Sequence, residues 1–119
     1  MGASGAGFGA GSGTVTFLFT DIESSTDRWE DDSDAMAASL AAHDVVLDAA
    51  IERFGGTRFK HTGDGVCAVF ATPSSALQAA LDAQAELGLP VRMGVHTGEA
   101  EAREGDYFGT TLNRCARIM

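Results

Sequence analysis

Two aspartates stand at positions where the sequence could perform metal-assisted chemistry. Asp21 follows the apolar run 14–20, and Asp64 lies in the turn-like segment 62–65 between two further apolar runs. A strand end and a hairpin turn can bring two such carboxylates together although they are far apart along the chain. Paired carboxylates bind the divalent cations used in phosphoryl chemistry. A second interpretation stays open on spacing alone, because Asp also favours strand ends and turns through local hydrogen bonding.

Further polar residues favour a nucleotide ligand over this alternative. Lys60, the only lysine, lies just before the turn that carries Asp64. A second group near the end of the chain, Asp106, Asn113 and Arg117, has residue types that suit a nucleotide. Taken singly, Lys60 could be a solvated hairpin lysine, and Asn113 and Arg117 could form an exposed helix face, since they are one turn apart.

The elements that must position these residues follow from hydrophobic periodicity. Strands are predicted at 14–20, 57–61, 66–71 and around 91–95, with a hairpin turn at 62–65. A short helix is predicted from the cap candidates Ser24, Ser25 and Thr26 to Trp29, then a long helix ending before residues 55–56. Another helix begins at Pro73, and a last helix begins at residue 110 or 111. The order predicts an α+β fold, an α/β sandwich of ferredoxin-like split βαβ type with helices packed on a mostly antiparallel sheet.

The helices also have predicted inner faces. For the long helix these are Met36, Leu40, Leu47, Ile51 and Phe54, and for the next one Leu77, Ala80, Leu81, Gln84 and Leu87. A Glu-rich connection is expected at 99–105, followed by residues 106–109 leading into the last helix. Trp29 is expected to be a core or interface anchor, and Cys67 and Cys115 small core residues without chemistry. His43, His61 and His96 lack the spacing of a zinc site, and no role is assigned to them.

Composition restricts the classes of protein that this chain can represent. Its 119 residues, 45% of them hydrophobic, suffice for one domain, predicted at 14–119. Residues 1–13 contain six of the 15 glycines and are expected to form a flexible tail. A balance of 8 basic to 17 acidic residues, a net charge of -9, disfavours nucleic acid as a partner. No secretory signal or membrane-length run is evident, so a cytoplasmic location without membrane association is expected.

Four motifs in order carry a family resemblance that extends over residues 14–119. They are FTDIESST at 19–26, KHTGD at 60–64, RMGVHTG at 92–98, and DYFG at 106–109 followed by LNRCAR at 112–117. The chain resembles the catalytic domain of class III nucleotidyl cyclases, and most of all the bacterial adenylate cyclases. A diguanylate cyclase or a polymerase palm would share the paired acids, but the Gly-Gly-Asp/Glu-Glu-Phe turn of the former does not occur.

The resemblance implies an activity and a metal site. Asp21 and Asp64, with the Ile22 carbonyl as an extra ligand, would hold two Mg²⁺ or Mn²⁺ ions. ATP would be converted to 3′,5′-cyclic AMP and pyrophosphate, as a step in intracellular signal transduction. The backbone amides around Ser25 and Thr26 would bind the triphosphate, and Arg92 matches a family position that contacts it.

The same resemblance assigns the remaining site residues. Lys60 and Asp106 match the pair that reads adenine, where a guanylate cyclase would usually have Glu and Cys. Asn113 would orient the ribose, and Arg117 would stabilise charge on the transferring phosphate. The resemblance also implies a head-to-tail homodimer with active sites at the interface, in which one chain supplies the metal aspartates and the other supplies the adenine pair, Asn113 and Arg117.

The family domain normally continues beyond the position of Met119, with a longer helix, further strands and another basic residue. The chain therefore corresponds to a cyclase domain that lacks its usual C-terminal part. The alternative function is a catalytically silent dimerisation or nucleotide-sensing module that forms part of a larger regulator.

Overall fold

The chain builds one sheet from strands that are distant in sequence and covers it with two main helices. The structure, a computed structural model, describes residues 11–103 and 106–108. The strands are β1 (Gly11–Ile22), β2 (Thr57–His61), β3 (Val66–Phe70), β4 (Val91–Arg103) and β5 (Asp106–Phe108). The helices are α1 (Ser25–Asp31), α2 (Ser33–Arg53) and α3 (Pro73–Glu86).

The sheet has the split βαβ topology that the order of the elements predicts. Its strand order is β2-β3-β1-β4-β5, and every neighbouring pair is antiparallel. It follows that β1 runs parallel to β2 with β3 inserted between them. In the same way β3 runs parallel to β4, with β1 between. The predicted α+β fold with a ferredoxin-like arrangement is confirmed.

The central strand is longer than its sequence pattern predicts. The register of β1 with β4 runs without interruption from Gly11 opposite Ala102 to Ile22 opposite Val91. The prediction was therefore wrong for residues 11–13, assigned to the tail, and for 99–103, assigned to a connection. Glycine and glutamate have low strand propensity, but the continuous ladder to a partner strand outweighs that preference here. Residues 106–108 form strand β5, where the sequence predicted only an approach to a helix.

The core lies between one face of the sheet and helices α2 and α3. Leu47 and Ile51 of α2 are buried against Leu18 of β1 and Val66 of β3 in one cluster. Met36, near the start of α2, joins Ile22 and Val91 in a second buried cluster. The predicted inner face of α2 is thus confirmed.

Helix α3 presents only part of its predicted inner face to the sheet: Ala80 is buried and Leu87 packs against the core as expected, but Leu77, Leu81 and Gln84 are exposed. Leu77 and Leu81 are 53% and 64% exposed. The buried positions of the helix are alanines, at 76, 79, 80 and 83. The prediction was wrong for the two leucines because it gave weight to side-chain size, whereas the small Ala side chain allows the helix backbone to approach the sheet closely.

Of the other predicted core residues, Cys67 is confirmed and Trp29 is not. Cys67 is buried, as expected for a small core residue. Trp29 is 36% exposed, and α1 contributes no buried residue, so Trp29 is not a core anchor. Cys115 and the predicted last helix lie outside the described residues. None of the described helices is long and apolar enough to cross a membrane.

Candidate active site

Asp21 is positioned by the alternation of β1. Leu18 and Ile22 face the helices, so Asp21 points to the opposite face of the sheet. It is the last residue but one of the strand. Arg92 stands directly opposite on β4, and its guanidinium forms an ion pair with the Asp21 carboxylate. The side chain of Asp21 is only 26% exposed, so the negative charge is partly shielded from solvent on the sheet face that points away from the helices.

The β2–β3 hairpin brings its turn against the end of β1. The turn closes with a hydrogen bond from Thr62 N to Gly65 O of 3.0 Å, and Gly63 adopts a φ of +95° that favours glycine. A Cβ atom on Gly65 would lie 2.1 Å from the carbonyl oxygen of Thr20. Only glycine therefore lets the hairpin approach β1 so closely.

Beyond the ladder between β1 and β3, two hydrogen bonds fix the turn end of the hairpin to β1. The Ile22 N–H donates to the Asp64 carbonyl oxygen at 2.9 Å. The Val66 N–H donates to the buried Thr20 Oγ1 at 3.0 Å. Because Asp21 and Ile22 are adjacent, the first of these bonds places Asp64 beside Asp21. The predicted metal residues Asp21, Ile22 and Asp64 thus meet at one place.

The start of helix α1 holds the Asp64 side chain. Ser25 Oγ donates a hydrogen bond to Asp64 Oδ2 at 2.8 Å. The preceding Ser24 is the N-cap, with a φ of 57° and no side-chain capping bond. Thr26, the other predicted phosphate-binding residue, is exposed in the first turn of α1. Ser25 therefore contacts a predicted metal residue, an arrangement that the sequence did not indicate.

The donors present suit a hard divalent cation. Carboxylate and carbonyl oxygens are the ligands that Mg²⁺ and Mn²⁺ prefer. The described residues contain no cluster of three or more His, Cys, Asp or Glu that could hold a metal ion. Cations at Asp21 and Asp64 would thus complete their coordination with oxygens of the backbone, water or substrate, as Mg²⁺ commonly does beside substrate phosphates.

The two predicted adenine-binding residues lie on opposite edge strands. Lys60 is exposed on β2 and pairs with Cys67, which in turn pairs with Phe19. It therefore projects from the same sheet face as Asp21. Asp106 is the first residue of β5, so β3, β1 and β4 lie between the two positions. Asn113 and Arg117 lie outside the described residues.

Sequence reasoning missed the residues that support these acids. Gly65, Thr20 and Ser25 all hold the Asp64 turn in place, yet only Ser25 was singled out, and for a different role. His61 received no role, although its Nδ1 accepts a hydrogen bond from Gly63 N at 3.1 Å. The available signal was the density of small and hydrogen-bonding residues around one acid at 61–65.

Comparison with known proteins places the chain in a family. The family model of the adenylate and guanylate cyclase catalytic domain matches residues 10–89 of this chain. An uncharacterised protein of Mycobacterium tuberculosis is 39% identical over 110 residues, which cover 89% of this chain and 39% of that protein. The adenylate cyclase of Lachancea kluyveri is 31% identical over 140 residues, covering 89% of this chain and 8% of the enzyme.

A solved structure has the same fold. A structure of adenylate cyclases from Trypanosoma brucei in their monomeric state superposes with a TM-score of 0.80 at 28% identity, over 88% of this chain and 68% of that one. This chain spans well under half the length of both protein relatives. On the family match, the relatives and the strand topology together, the chain belongs to the adenylate and guanylate cyclase catalytic domain family.

Proposed function

We propose that the chain is the catalytic domain of an adenylate cyclase, which converts ATP to 3′,5′-cyclic AMP and pyrophosphate for intracellular signalling. The observation that carries the proposal is the hydrogen bond from Ile22 N to the Asp64 carbonyl oxygen, 2.9 Å long, which places the backbone of Asp64 beside the residue that follows Asp21 within a cyclase fold. Strand ends bearing lone acids are common, but the hairpin here is fitted to β1 through a glycine that no larger residue could replace.

In the reaction, the ribose 3′-hydroxyl oxygen forms a bond to the α-phosphorus while the bond from that phosphorus to the β-bridging oxygen breaks. The hydroxyl proton is released and pyrophosphate leaves. Asp21, Asp64 and the Ile22 carbonyl would hold two Mg²⁺ or Mn²⁺ ions, which supply charge stabilisation to the attacking and leaving oxygens. Ser25 keeps Asp64 in a fixed orientation through its hydroxyl.

The cationic residues have complementary roles in this proposal. Arg92 balances the charge of Asp21, and a guanidinium can equally bind the oxygens of a triphosphate. The amides around Ser25 and Thr26 would also bind the phosphates. Arg117 would stabilise charge on the transferring phosphate, and Asn113 would orient the ribose. These last roles rest on the match of the motifs.

Adenine selection would come from Lys60 and Asp106. An ammonium group donates to ring N1, and a carboxylate accepts from the exocyclic amine, a combination that guanine does not satisfy. In the proposed head-to-tail homodimer this pair acts on ATP held by the metal aspartates of the other chain. The exposed position of Lys60 on an edge strand is compatible with such a contact.

Nucleotide selectivity tests the proposal. We expect the Lys60→Glu/Asp106→Cys variant to lose about tenfold or more of the ATP preference over GTP, measured as the ratio of kcat/KM values with Mn²⁺. Arg58→Glu is the matched control, because Arg58 is on the same strand but contacts Asp48 of α2 on the helix side. The two single variants show whether both positions contribute. An unchanged ratio in the double variant contradicts the adenine-reading roles.

A folded chain that forms no cyclic nucleotide would support the second candidate, a catalytically silent dimerisation or nucleotide-sensing module. Both aspartates already have partners in the chain, Arg92 and Ser25, which is compatible with a site that stays intact without turnover.

A further inference from the structure

A polar cluster outside the predicted metal site connects helix α2 to the hairpin that carries Asp64. Asp44 lies in the middle of α2, and its Oδ1 atom is 2.9 Å from Nδ1 of His43 and 3.0 Å from Nε2 of His61. His61 is the last residue of β2. One carboxylate oxygen of the helix thus contacts the strand just before the Asp64 turn.

The hydrogen bonds define the tautomer of His61. The Gly63 N–H donates to His61 Nδ1 at 3.1 Å, so this nitrogen acts as an acceptor and has no proton. The proton is therefore on Nε2, from which it is donated to Asp44. The ring accepts from the turn on one side and donates to the helix on the other, which fixes its orientation.

His43 completes the cluster from inside the core. Its side chain is 1% exposed, and its Nε2 atom is buried without a hydrogen-bond partner among the described residues. Nδ1 must then carry the proton and donate it to Asp44, because a buried donor left without an acceptor would be more costly than a bare lone pair. Asp44 is thus hydrogen-bonded to His43 of its own helix as well as to His61 of the hairpin.

Burial raises the pKa of the Asp44 carboxyl, but the hydrogen bonds from His61 and His43 lower it, and the net pKa is below its usual value. The carboxylate is therefore the form that both rings bind. A second contact between the same elements lies one helical turn further along, where Arg58 forms an ion pair with Asp48 at 3.3 Å. That contact does not reach the turn.

We propose that His61 is a positioning residue for Asp64: held by Asp44, its ring fixes the Gly63 amide and so the turn that presents the Asp64 carboxylate. This inference rests on the proposed function, because it takes Asp64 as a metal ligand. Gly63 immediately precedes Asp64, so rotation of its peptide plane would change the position of the Asp64 carboxylate. Ser25 of α1, Ile22 of β1 and the Thr62 hydroxyl contact Asp64 directly, whereas His61 acts on it through the Gly63 amide.

The test compares variants that keep or remove the acceptor for Gly63. In His61→Leu the acceptor is lost, and we expect Mn²⁺ affinity to fall about three- to tenfold, the range that loss of one hydrogen bond allows. In His61→Asn the amide oxygen can still accept from Gly63 but the bond to Asp44 is lost, so Mn²⁺ affinity should fall less than in His61→Leu, by about two- to threefold. Asp44→Ala loses the same bond and should behave like His61→Asn, whereas Asp44→Asn retains an acceptor for His61 and should stay within about twofold of wild type.

Three measurements do not depend on turnover. Free Mn²⁺ is counted by electron paramagnetic resonance in titrations of the full chain without nucleotide. Nuclear magnetic resonance of the imidazole nitrogens shows whether His61 carries its proton on Nε2, and amide exchange reports on Gly63. With ATP present, His61→Leu should raise the Mn²⁺ concentration for half-maximal rate and leave kcat at saturating Mn²⁺ within about twofold.

Asp48→Ala is the matched control, since it breaks the other contact between α2 and β2. It should leave Mn²⁺ affinity and Gly63 exchange unchanged. If wild type binds Mn²⁺ and turns over ATP while His61→Leu does both equally well, the positioning role is overturned and the cyclase assignment stands. An Nδ1-protonated His61 also overturns it. A wild-type chain that binds no Mn²⁺ and forms no product overturns the proposed function itself.

Discussion

At the scale of single residues, the predicted metal site is a pair of acids with different partners. Asp21 pairs with a cation, Arg92, while Asp64 accepts a neutral hydrogen bond from Ser25. A divalent ion would thus compete with a guanidinium at Asp21 but could share Asp64 with the serine hydroxyl, because a carboxylate accepts several bonds. The two acids are therefore expected to respond differently to substitution of their partners.

Asp44 gives a prediction for stability against pH. Its pKa is below the usual value in the folded protein, because hydrogen bonds from His61 and His43 outweigh burial, which raises it. A depressed pKa contributes stability above the unfolded-state pKa, and that contribution is lost as the pH falls through the folded-state pKa. Wild type should therefore exceed Asp44→Asn in free energy of unfolding by up to about 1 kcal/mol above about pH 5, since an ionised acceptor binds more strongly than an amide.

Urea unfolding of the two proteins at several pH values between about 3 and 6 measures this difference. The gap should close at the acid end of the series. A gap that widens as the pH falls would mean that the carboxylate is not the form bound by the two histidines.

At the scale of elements, the site depends on how closely the β2–β3 hairpin packs against β1. The turn residue Gly65 lies against the Thr20 carbonyl of β1. On either side of Gly65, the Asp64 carbonyl accepts from Ile22 N and the Val66 N–H donates to Thr20 Oγ1. The geometry of the two acids is thus a property of the junction between elements, not of either element alone.

Gly65→Ala tests this junction. The added methyl group would meet the Thr20 carbonyl oxygen at 2.1 Å, so we expect the free energy of unfolding to fall by about 1–3 kcal/mol. Gly88→Ala is the control, because nothing lies within 4 Å of a Cβ there. Urea denaturation measures both. If the two variants are equally stable, the hairpin does not approach β1 as described.

The helices and strands also show how much of the structure could be predicted from the sequence. The acids, the hairpin and the order of elements are local patterns, and Asp21 and Asp64 were found from them. The predicted inner face of α3 included Leu77 and Leu81 beside Ala80, but only the alanine of these three is buried, because the separation between helix and sheet decides which side chain fits. The lengths of β1 and β4 depend on each other through their ladder, and a local pattern at residues 11–13 or 99–103 carries no trace of that partner.

At the scale of the whole molecule, the proposed homodimer divides each active site between two chains. One chain would supply Asp21 and Asp64, and the other would supply Arg117. Two inactive variants should then complement each other, because a mixed dimer contains one site in which all of these residues are intact.

We expect Asp21→Ala and Arg117→Ala to be inactive alone, and their equimolar mixture to recover about a quarter of wild-type activity. Half of the dimers would be mixed, and each would have one intact site of two. The assay is cyclic AMP formation after the variants are mixed and allowed to exchange. A mixture as inactive as its components would contradict a site shared in this way.

The most direct test of the central claim is Mn²⁺-dependent formation of cyclic AMP from ATP by the purified chain, across a series of protein concentrations. Asp21→Ala is measured beside it, with Asp34→Ala, an exposed acid in the first turn of α2, as control. We predict a rate that rises faster than linearly with protein concentration, that falls at least about a hundredfold in Asp21→Ala and that is retained in Asp34→Ala. Equal rates in the two variants, or no product from a folded wild-type chain, would contradict the account.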